Sequence, residues 1–332
     1  MIKWAQRKNK IGGFTNATHL ALLPKEKRPS SFSRFRPISL CNSSYKILTK
    51  IIATRLKPIL PSIISENQGG FLANRQISDS ILLVQEAIHS SQARKEKGFI
   101  LKLDLANAFD HVRHSFLLVV LKKMGFAPSF INLVQACISI PWISPLINGR
   151  SGPSFQSSRG LCQGCPLSPY LFILMAESFS RALDHKRRTG LITGIKFGNG
   201  VKNINHSQFA DDTLLMGGAS NIIARRFKTL LDRYMCYSGG MINFLKSCIY
   251  GWNTTAHTLQ SIASIFGVPC KLDWGHFTYL GMPVSVGSLK AKVWDTIIDK
   301  MKRKVQHWGS LWLNPAGHLI LLKSSLSSLP LY

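Results

Sequence analysis

Apolar residues recur at helical spacing over Ser43–Leu60, with Ile47, Ile51, Ile52 and Leu56 on one side and Lys50, Arg55 and Lys57 elsewhere. Pro58 and Pro61 break that pattern. The same periodicity predicts helices over Ser78–Arg94, His114–Met124, Pro128–Ile140 and Leu167–Lys186, the last long and apolar. Further helices are predicted from Asn221 to Tyr237, stopped by Gly239-Gly240, and over Thr255–Phe266, stopped by Gly267 and Pro269. Leu289–Trp308 and Gly317–Ser328 read as basic, aromatic helices. Strands interleave with them: Phe99–Leu103, a segment around Ile242–Phe244 and another over Ser247–Tyr250. Hairpins are predicted for Ile143–Ile147 with Ser154–Ser157, for Ile195–Phe197 with Val201–Ile204, and within Ser207–Met216. Residues 1–21 carry little pattern and read as a lead-in. Helices and hairpins mixed in this way indicate an α+β chain.

Two places break the apolar runs with carboxylates. In Ser207–Met216, Asp211 and Asp212 sit at the predicted turn between two apolar strands. Adjacent carboxylates in a partly desolvated turn resist ionisation unless a cation lies between them. The plainer reading is an Asp-Asp turn chosen for local backbone hydrogen bonds. In Phe99–Asp110, an apolar strand ends on Asp104 and the chain then turns toward a helix. That placement aims a carboxylate at a ligand, or alternatively caps the next helix. The two sites lie 107 residues apart (211 − 104), so only the fold can join them. Joined, three carboxylates have the donor chemistry to hold two Mg²⁺ ions about 3.5–4 Å apart for in-line phosphoryl transfer.

Charge narrows the class of partner. The 332 residues include 42 Lys and Arg against 15 Asp and Glu, a formal net charge of +27. A chain this basic is drawn to polyanions, and the basic residues are spread throughout rather than gathered in a tail. The seven cysteines are odd in number and sit mostly among apolar neighbours, which fits reduced thiols of the cytosol or nucleus better than a disulfide framework. No N-terminal stretch has a signal-peptide layout and no apolar run is long enough to span a bilayer, so no membrane partner is expected. Basic clusters at Lys25–Arg28, His185–Arg188 and Lys300–Lys304 suit nuclear import, nucleic-acid contact or plain solvation alike.

The order of motifs resembles the reverse transcriptase of LINE-type (non-LTR) retrotransposons, and especially their plant branch. Leu23-Pro24-Lys25, Phe35-Arg36-Pro37-Ile38-Ser39-Leu40, Tyr45-Lys46-Ile47-Leu48-Thr49-Lys50 and Gln68-Gly69-Gly70-Phe71 open the series. The Asp104 segment, Gly160-Leu161-Cys162-Gln163-Gly164-Cys165-Pro166-Leu167-Ser168-Pro169 and Phe209-Ala210-Asp211-Asp212 follow. Asn243-Phe244-Leu245-Lys246-Ser247 and Tyr279-Leu280-Gly281-Met282-Pro283 close it. The resemblance implies a right-hand polymerase whose antiparallel palm sheet is backed by helices. Fingers and palm would occupy 22–285 and a partial thumb 286–332, where Trp308 and Trp312 either clamp a duplex or pack between helices. It implies an RNA-directed DNA polymerase that extends a DNA primer on an RNA template from deoxynucleoside triphosphates, using two Mg²⁺ ions or Mn²⁺. Asp104, Asp211 and Asp212 would be the metal carboxylates. Phe109 would exclude a ribose 2′-OH, or else simply pack in the core. Gln163 and Gly164 would contact the nucleotide and templating base, Arg36 and Lys46 the triphosphate, and Lys246 the leaving pyrophosphate. The endonuclease domain that precedes this region in the family is expected to be absent here.

Two departures qualify the resemblance. Cys162 stands where many relatives have Arg, and Gly70 replaces a small polar residue. Cys165 fits the plant branch. By spacing alone Cys162 and Cys165 form a CxxC, a redox pair or half a zinc site, but no second CxxC or His pair completes one. A remnant that binds nucleic acid without turnover, and an intron-type maturase with the same palm, are the competing readings.

Overall fold

The computed structural model describes residues 11, 13–139, 142–197, 203–274, 277–287, 294–309 and 314–323. In chain order the main elements are β1 (Ala17–Pro24), β2 (Phe35–Cys41), α1 (Ser43–Leu56), α2 (Ile77–Ala93), β3 (Gly98–Leu103), α3 (His114–Lys123) and α4 (Pro128–Ile138). They continue as β4 (Trp142–Ile147), β5 (Arg150–Ser151), β6 (Phe155–Gln156), α5 (Ser168–Arg188), β7 (His206–Phe209), β8 (Asp212–Gly218) and α6 (Asn221–Ser238). The last are β9 (Cys248–Trp252), α7 (Ala256–Phe266), β10 (Cys270–Lys271), β11 (Thr278–Tyr279), β12 (Met282–Pro283), α8 (Asp295–Gly309) and α9 (Pro315–Leu321).

The chain divides into two compact units. The first comprises Met1–Asn74, Leu105–Leu183 and Thr229–Asn243. Its sheet runs β2-β1-β4-β5, with β6 also on β4. β1 and β2 pair antiparallel from Thr18↔Cys41 to Pro24↔Phe35, and β1 lies parallel to β4. Leu48, Ile52 and Leu56 of α1, Val134 and Cys137 of α4, and Leu171 and Leu174 of α5 fill one core. Each fully buried aliphatic side chain contributes about 1.5–3 kcal/mol of burial free energy. Tyr45 and Glu177 are buried polar residues there that find partners, while among the described residues Asn16 Nδ2 and His111 Nδ1 find none. Tyr45 donates its hydroxyl to the Cys137 carbonyl at 2.9 Å. Glu177, 2 % exposed, accepts from the Ser65 amide and hydroxyl and from Arg181 Nε, each at 3.0 Å.

The second unit comprises Arg75–Asp104, Asp184–Lys228 and Phe244–Tyr332. Its sheet has the order β10-β9-β3-β8-β7 and is antiparallel except for β9 with β10. Side chains alternate across it. Ile100, Leu214, Met216, Cys248, Tyr250 and Trp252 form one core with Val84, Ala87 and Ile88 of α2 and with Phe277 and Tyr279. Phe99, one residue out of step with Ile100, meets Phe227 of α6 edge-on at 6.1 Å and Phe266 of α7 at 6.3 Å. An antiparallel sheet with helices against it is the α+β arrangement expected. Gly98 is required where β3 begins, because a Cβ there would sit 2.0 Å from the Trp252 ring.

Some expected elements differ. Residues 17–21, read as a lead-in, belong to β1; the run Ala-Thr-His-Leu-Ala does not alternate, and cross-strand pairing supplies what local pattern lacks. Ile242–Phe244 is not a strand: Ile242 makes a single bridge to Leu105, and residues 244–246 turn. α1 ends at Leu56, before Pro58. α9 starts at Pro315 rather than Gly317, because Asn314 caps it by accepting from the Gly317 amide at 2.7 Å. The Gly198–Gly200 turn, residues 288–293, Trp312 and the side chain of Trp308 lie outside the described residues, although the hairpin's base remains as an Ile195↔Ile204 bridge. Among the described residues no helix is long and apolar enough to cross a membrane.

Candidate active site

The carboxylates gather at one end of the second unit's sheet. β7 and β8 close through a two-residue turn, Ala210-Asp211, with Phe209 paired to Asp212. Ala210 has φ +56°, a left-handed value that costs a non-glycine residue energy and is held by the surrounding pairs. Leu103 of β3 pairs with Thr213, so the next step along the ladder sets Asp104 across from Asp212. On the other side the β3–β9 ladder ends at Lys102↔Cys248, and Lys246 lies two residues before it in the 244–246 turn. Asp104 and Asp212, 108 apart in sequence (212 − 104), thereby come to face one another past the end of the β3–β8 ladder.

Hydrogen bonds at this edge join residues far apart in sequence. The Asp104 amide donates to Ser247 Oγ at 3.1 Å. Lys102 donates to the Thr278 carbonyl at 2.7 Å. Asp211 and Asp212 both reach solvent, yet enough protein surrounds each to raise its pKa. For Asp211, burial is the main cause, offset by a hydrogen bond from its own backbone and reinforced by the Asp104 charge. For Asp212, burial again leads, then repulsion from Asp211 and, more weakly, Asp104, while Lys102 pulls the other way.

This donor set fits a hard divalent cation. Three oxygen donors repel one another across a partly desolvated edge, and a cation offsets both penalties. Among the described residues, no three His, Cys, Asp or Glu side chains are already gathered to hold an ion, so side-chain rotation would have to accompany binding.

The other expected site residues lie in the first unit, around the loop at Gly160–Cys165. Gly160 and Gly164 both have positive φ, and a Cβ on Gly160 would sit 2.8 Å from the Asp110 carbonyl oxygen. The loop is pinned on two sides: the Ser39 amide donates to the Gln163 carbonyl at 2.8 Å, and Gln163 Nε2 donates to Asp110 Oδ1 at 3.2 Å. Burial raises the Asp110 pKa, an effect that Gln163, His111 and Lys25 oppose. Phe109 stacks on Phe172 of α5 at 4.9 Å, which favours its packing reading, though the ring stays half-buried. Arg36 on β2 and Lys46 on α1 are exposed. Lys246 is exposed in the 244–246 turn rather than on a strand edge.

Cys162 departs from expectation. An Arg at this position would reach toward a substrate; the Cys162 side chain is instead half-buried against the core, close enough to Cys41 for the two thiols to affect each other's ionisation. Cys162, then Thr18 and the Lys46 charge, lower the Cys41 thiol to about 7 against the opposing effect of burial. The Cys162 thiol is pushed far up by the same pairing and by burial. The spatial partner of Cys162 is therefore Cys41, and Cys165 lies instead near the Tyr45 hydroxyl at 4.0 Å.

The reverse transcriptase (RNA-dependent DNA polymerase) family matches residues 23–284. The chain belongs to that family. It is similar to the "Transposon TX1 uncharacterized 149 kDa protein" of Xenopus laevis, with 31 % identity over 229 residues, 69 % of this chain and 17 % of that protein. It is also similar to the "Retrovirus-related Pol polyprotein from type-2 retrotransposable element R2DM" of Drosophila melanogaster, with 32 % identity over 189 residues, 57 % of this chain and 17 % of that protein. The chain thus spans 17 % of the length of each of these relatives. A telomerase from Candida tropicalis shares the fold at TM-score 0.55 and 10 % identity, covering 91 % of this chain and 51 % of that one. The right-hand polymerase architecture follows from that likeness.

Sequence reasoning about this reverse transcriptase domain passed over four residues. Lys102 was read as one letter of an apolar strand, and its alternation with Asp104 was the available signal. Ser247, Asp110 and Cys41 act through contacts that no local pattern announces.

Proposed function

We propose that this chain is the RNA-directed DNA polymerase core of a plant LINE-type retrotransposon, extending a DNA 3′-OH on an RNA template with deoxynucleoside triphosphates. The observation that carries the reading is the sheet edge where β3 and the β7–β8 turn bring Asp104, Asp211 and Asp212 together. These three would hold two Mg²⁺ ions, with Mn²⁺ able to replace them. Bound there, the ions would supply Lewis-acid activation of the attacking hydroxyl and neutralise charge on the transferred phosphoryl group. Lys246, open to solvent in the turn just before β9, would in this reading stabilise or protonate the leaving pyrophosphate.

In the first unit, Arg36 and Lys46 would bind the triphosphate, and Gln163 with Gly164 would contact the nucleotide. Support comes from the loop's double anchorage to Ser39 and Asp110 and from the bare backbone at Gly164. Phe109 would act as the sugar gate through the edge left free by Phe172. Residues 22–285 would form fingers and palm and 286–332 a partial thumb. The net charge of +27 supports nucleic-acid partners, and Cys165 supports the plant branch. A nuclear or cytoplasmic location suits seven cysteines that are all free.

The binding-only remnant is the second reading, favoured by Cys162, whose inward thiol leaves that loop without the cation many relatives carry. Extension of oligo(dT) on poly(rA) separates the two. Divalent-dependent incorporation that Asp211→Asn abolishes supports the polymerase. Salt-dependent duplex binding without incorporation supports the remnant.

A further inference from the structure

The strand that ends in Asp104 carries a second charge on the same face. Period-two alternation sets Lys102 beside Asp104, one step from the pair Asp104 makes with Asp212. The Lys102 ammonium donates to the Thr278 carbonyl at 2.7 Å and lies 5.9 Å from the centre of the Phe277 ring. That ring is 1 % exposed, packed on Tyr250 at 4.5 Å and Trp274 at 5.3 Å, so the ammonium meets a fixed surface. Just beyond it, β11 and β12 pair through only two residues each, and the turn uses Leu280 at φ +52° and Gly281 at φ +84°. A ladder so short, with a strained leucine at its tip, is marginal alone and depends on external fastening. Besides the burial of Phe277, Tyr279 and Val284 and the Gln85–Ser285 hydrogen bonds just after β12, two side-chain contacts fasten it to the strands that carry the carboxylates. Lys102 holds it from β3, and the Tyr279 hydroxyl meets Ser207 Oγ of β7 at 3.1 Å. Both strands run directly into the carboxylates.

We propose that Lys102 is a positioning residue of the polymerase site: its ammonium clamps the β11–β12 hairpin to the carboxylate edge, and its charge holds the affinity of that edge for divalent cations below what the carboxylates alone would give. The assignment rests on the polymerase reading only for its effect on turnover. As a clamp, Lys102 replaces part of its lost hydration with a carbonyl and an aromatic face. As a charge beside the carboxylates, it opposes an incoming cation while keeping the unfilled edge less repulsive.

Lys102→Met keeps an apolar stem over Phe277 but removes the donor and the charge, and Lys102→Arg keeps both. Hydrogen exchange followed by mass spectrometry should show segment 277–284 exchanging about tenfold faster in the Met variant, the equivalent of one lost charge-assisted hydrogen bond, with 98–103 unchanged. Mn²⁺ titration without nucleic acid, read by electron paramagnetic resonance, should show tighter binding by about threefold. Extension should slow about tenfold in kcat while KM for the nucleotide stays within about twofold, and Arg should restore exchange and turnover. Tighter metal with slower turnover is a signature that loss of a merely structural contact does not produce. Unchanged exchange at 277–284 overturns the clamp, and unchanged Mn²⁺ affinity overturns the charge role. If the unaltered chain does not extend primers, the polymerase reading fails by itself, while exchange and Mn²⁺ binding still decide the role of Lys102.

Discussion

Replacing Cys162 with arginine sets the family pattern against the packing of this chain. The resemblance alone predicts that an arginine there strengthens nucleotide or template binding by about tenfold, the worth of one charge-assisted hydrogen bond. The structure reverses the forecast. Cys162 packs half-buried against the first core near Cys41, and the cavity it shares with Tyr45, Cys137 and Cys165 has room for about one water molecule. A guanidinium on three methylenes exceeds that space, and overpacking of this kind costs about 1–3 kcal/mol. Lys46 is close enough to Cys41 to lower its pKa, so the new charge also meets a like charge. Together about 3 kcal/mol is expected, roughly a hundredfold in the folding equilibrium and about 6–12 °C in Tm. Scanning calorimetry on Cys162→Arg and Cys162→Ser separates size and charge from loss of the thiol, with the serine variant expected to move far less. An arginine variant with Tm within about 2 °C of the parent and stronger extension would refute the reasoning, because the side chain would then have found the cleft.

Asp104→Asn and Asp211→Asn should each lower extension by orders of magnitude, since each removes a charged metal donor. Asp211→Asn should also raise Tm at neutral pH. The folded pKa of Asp211 lies above the unfolded value of about 4, so the native state binds the extra proton and the ionised group penalises folding above its raised pKa. That gain should shrink as pH falls through the raised pKa and vanish below about 4; a Tm gain independent of pH would contradict the sign. Phe109→Val should lose about 1–3 kcal/mol of stability through its stack with Phe172, and should raise ribonucleotide incorporation if the free edge gates the sugar. Destabilisation with unchanged sugar discrimination, measured by competitive single-nucleotide incorporation, would make Phe109 a packing residue alone. Lys246→Ala should slow turnover at least about tenfold with Tm unaltered, because the side chain is exposed in a turn; full activity would remove it from the reaction.

Local pattern was enough wherever one element's own periodicity or punctuation decides the outcome. The helices α1 to α7 follow from apolar spacing and from Pro and Gly stops; the Asp pair marks the β7–β8 hairpin, although the turn itself is Ala210-Asp211 and Asp212 opens β8. The same local logic could name Asp104, Asp211 and Asp212 as acids at strand ends. It could not join them, because their proximity is a matter of antiparallel register between β3 and β8, paid out over six pairs from Gly98↔Gly218 to Leu103↔Thr213. β1 was illegible for a related reason: its residues do not alternate, and pairing with β2 and β4 decides its state. Tertiary packing also chose between open readings. It set Cys162 near Cys41, stacked Phe109 on Phe172, and gave Lys102 a carbonyl 176 residues away. Periodicity records which face of a segment avoids water, but partners across a sheet or within a core are selected by shape and hydrogen-bond geometry summed over distant segments, and only the folded chain performs that sum.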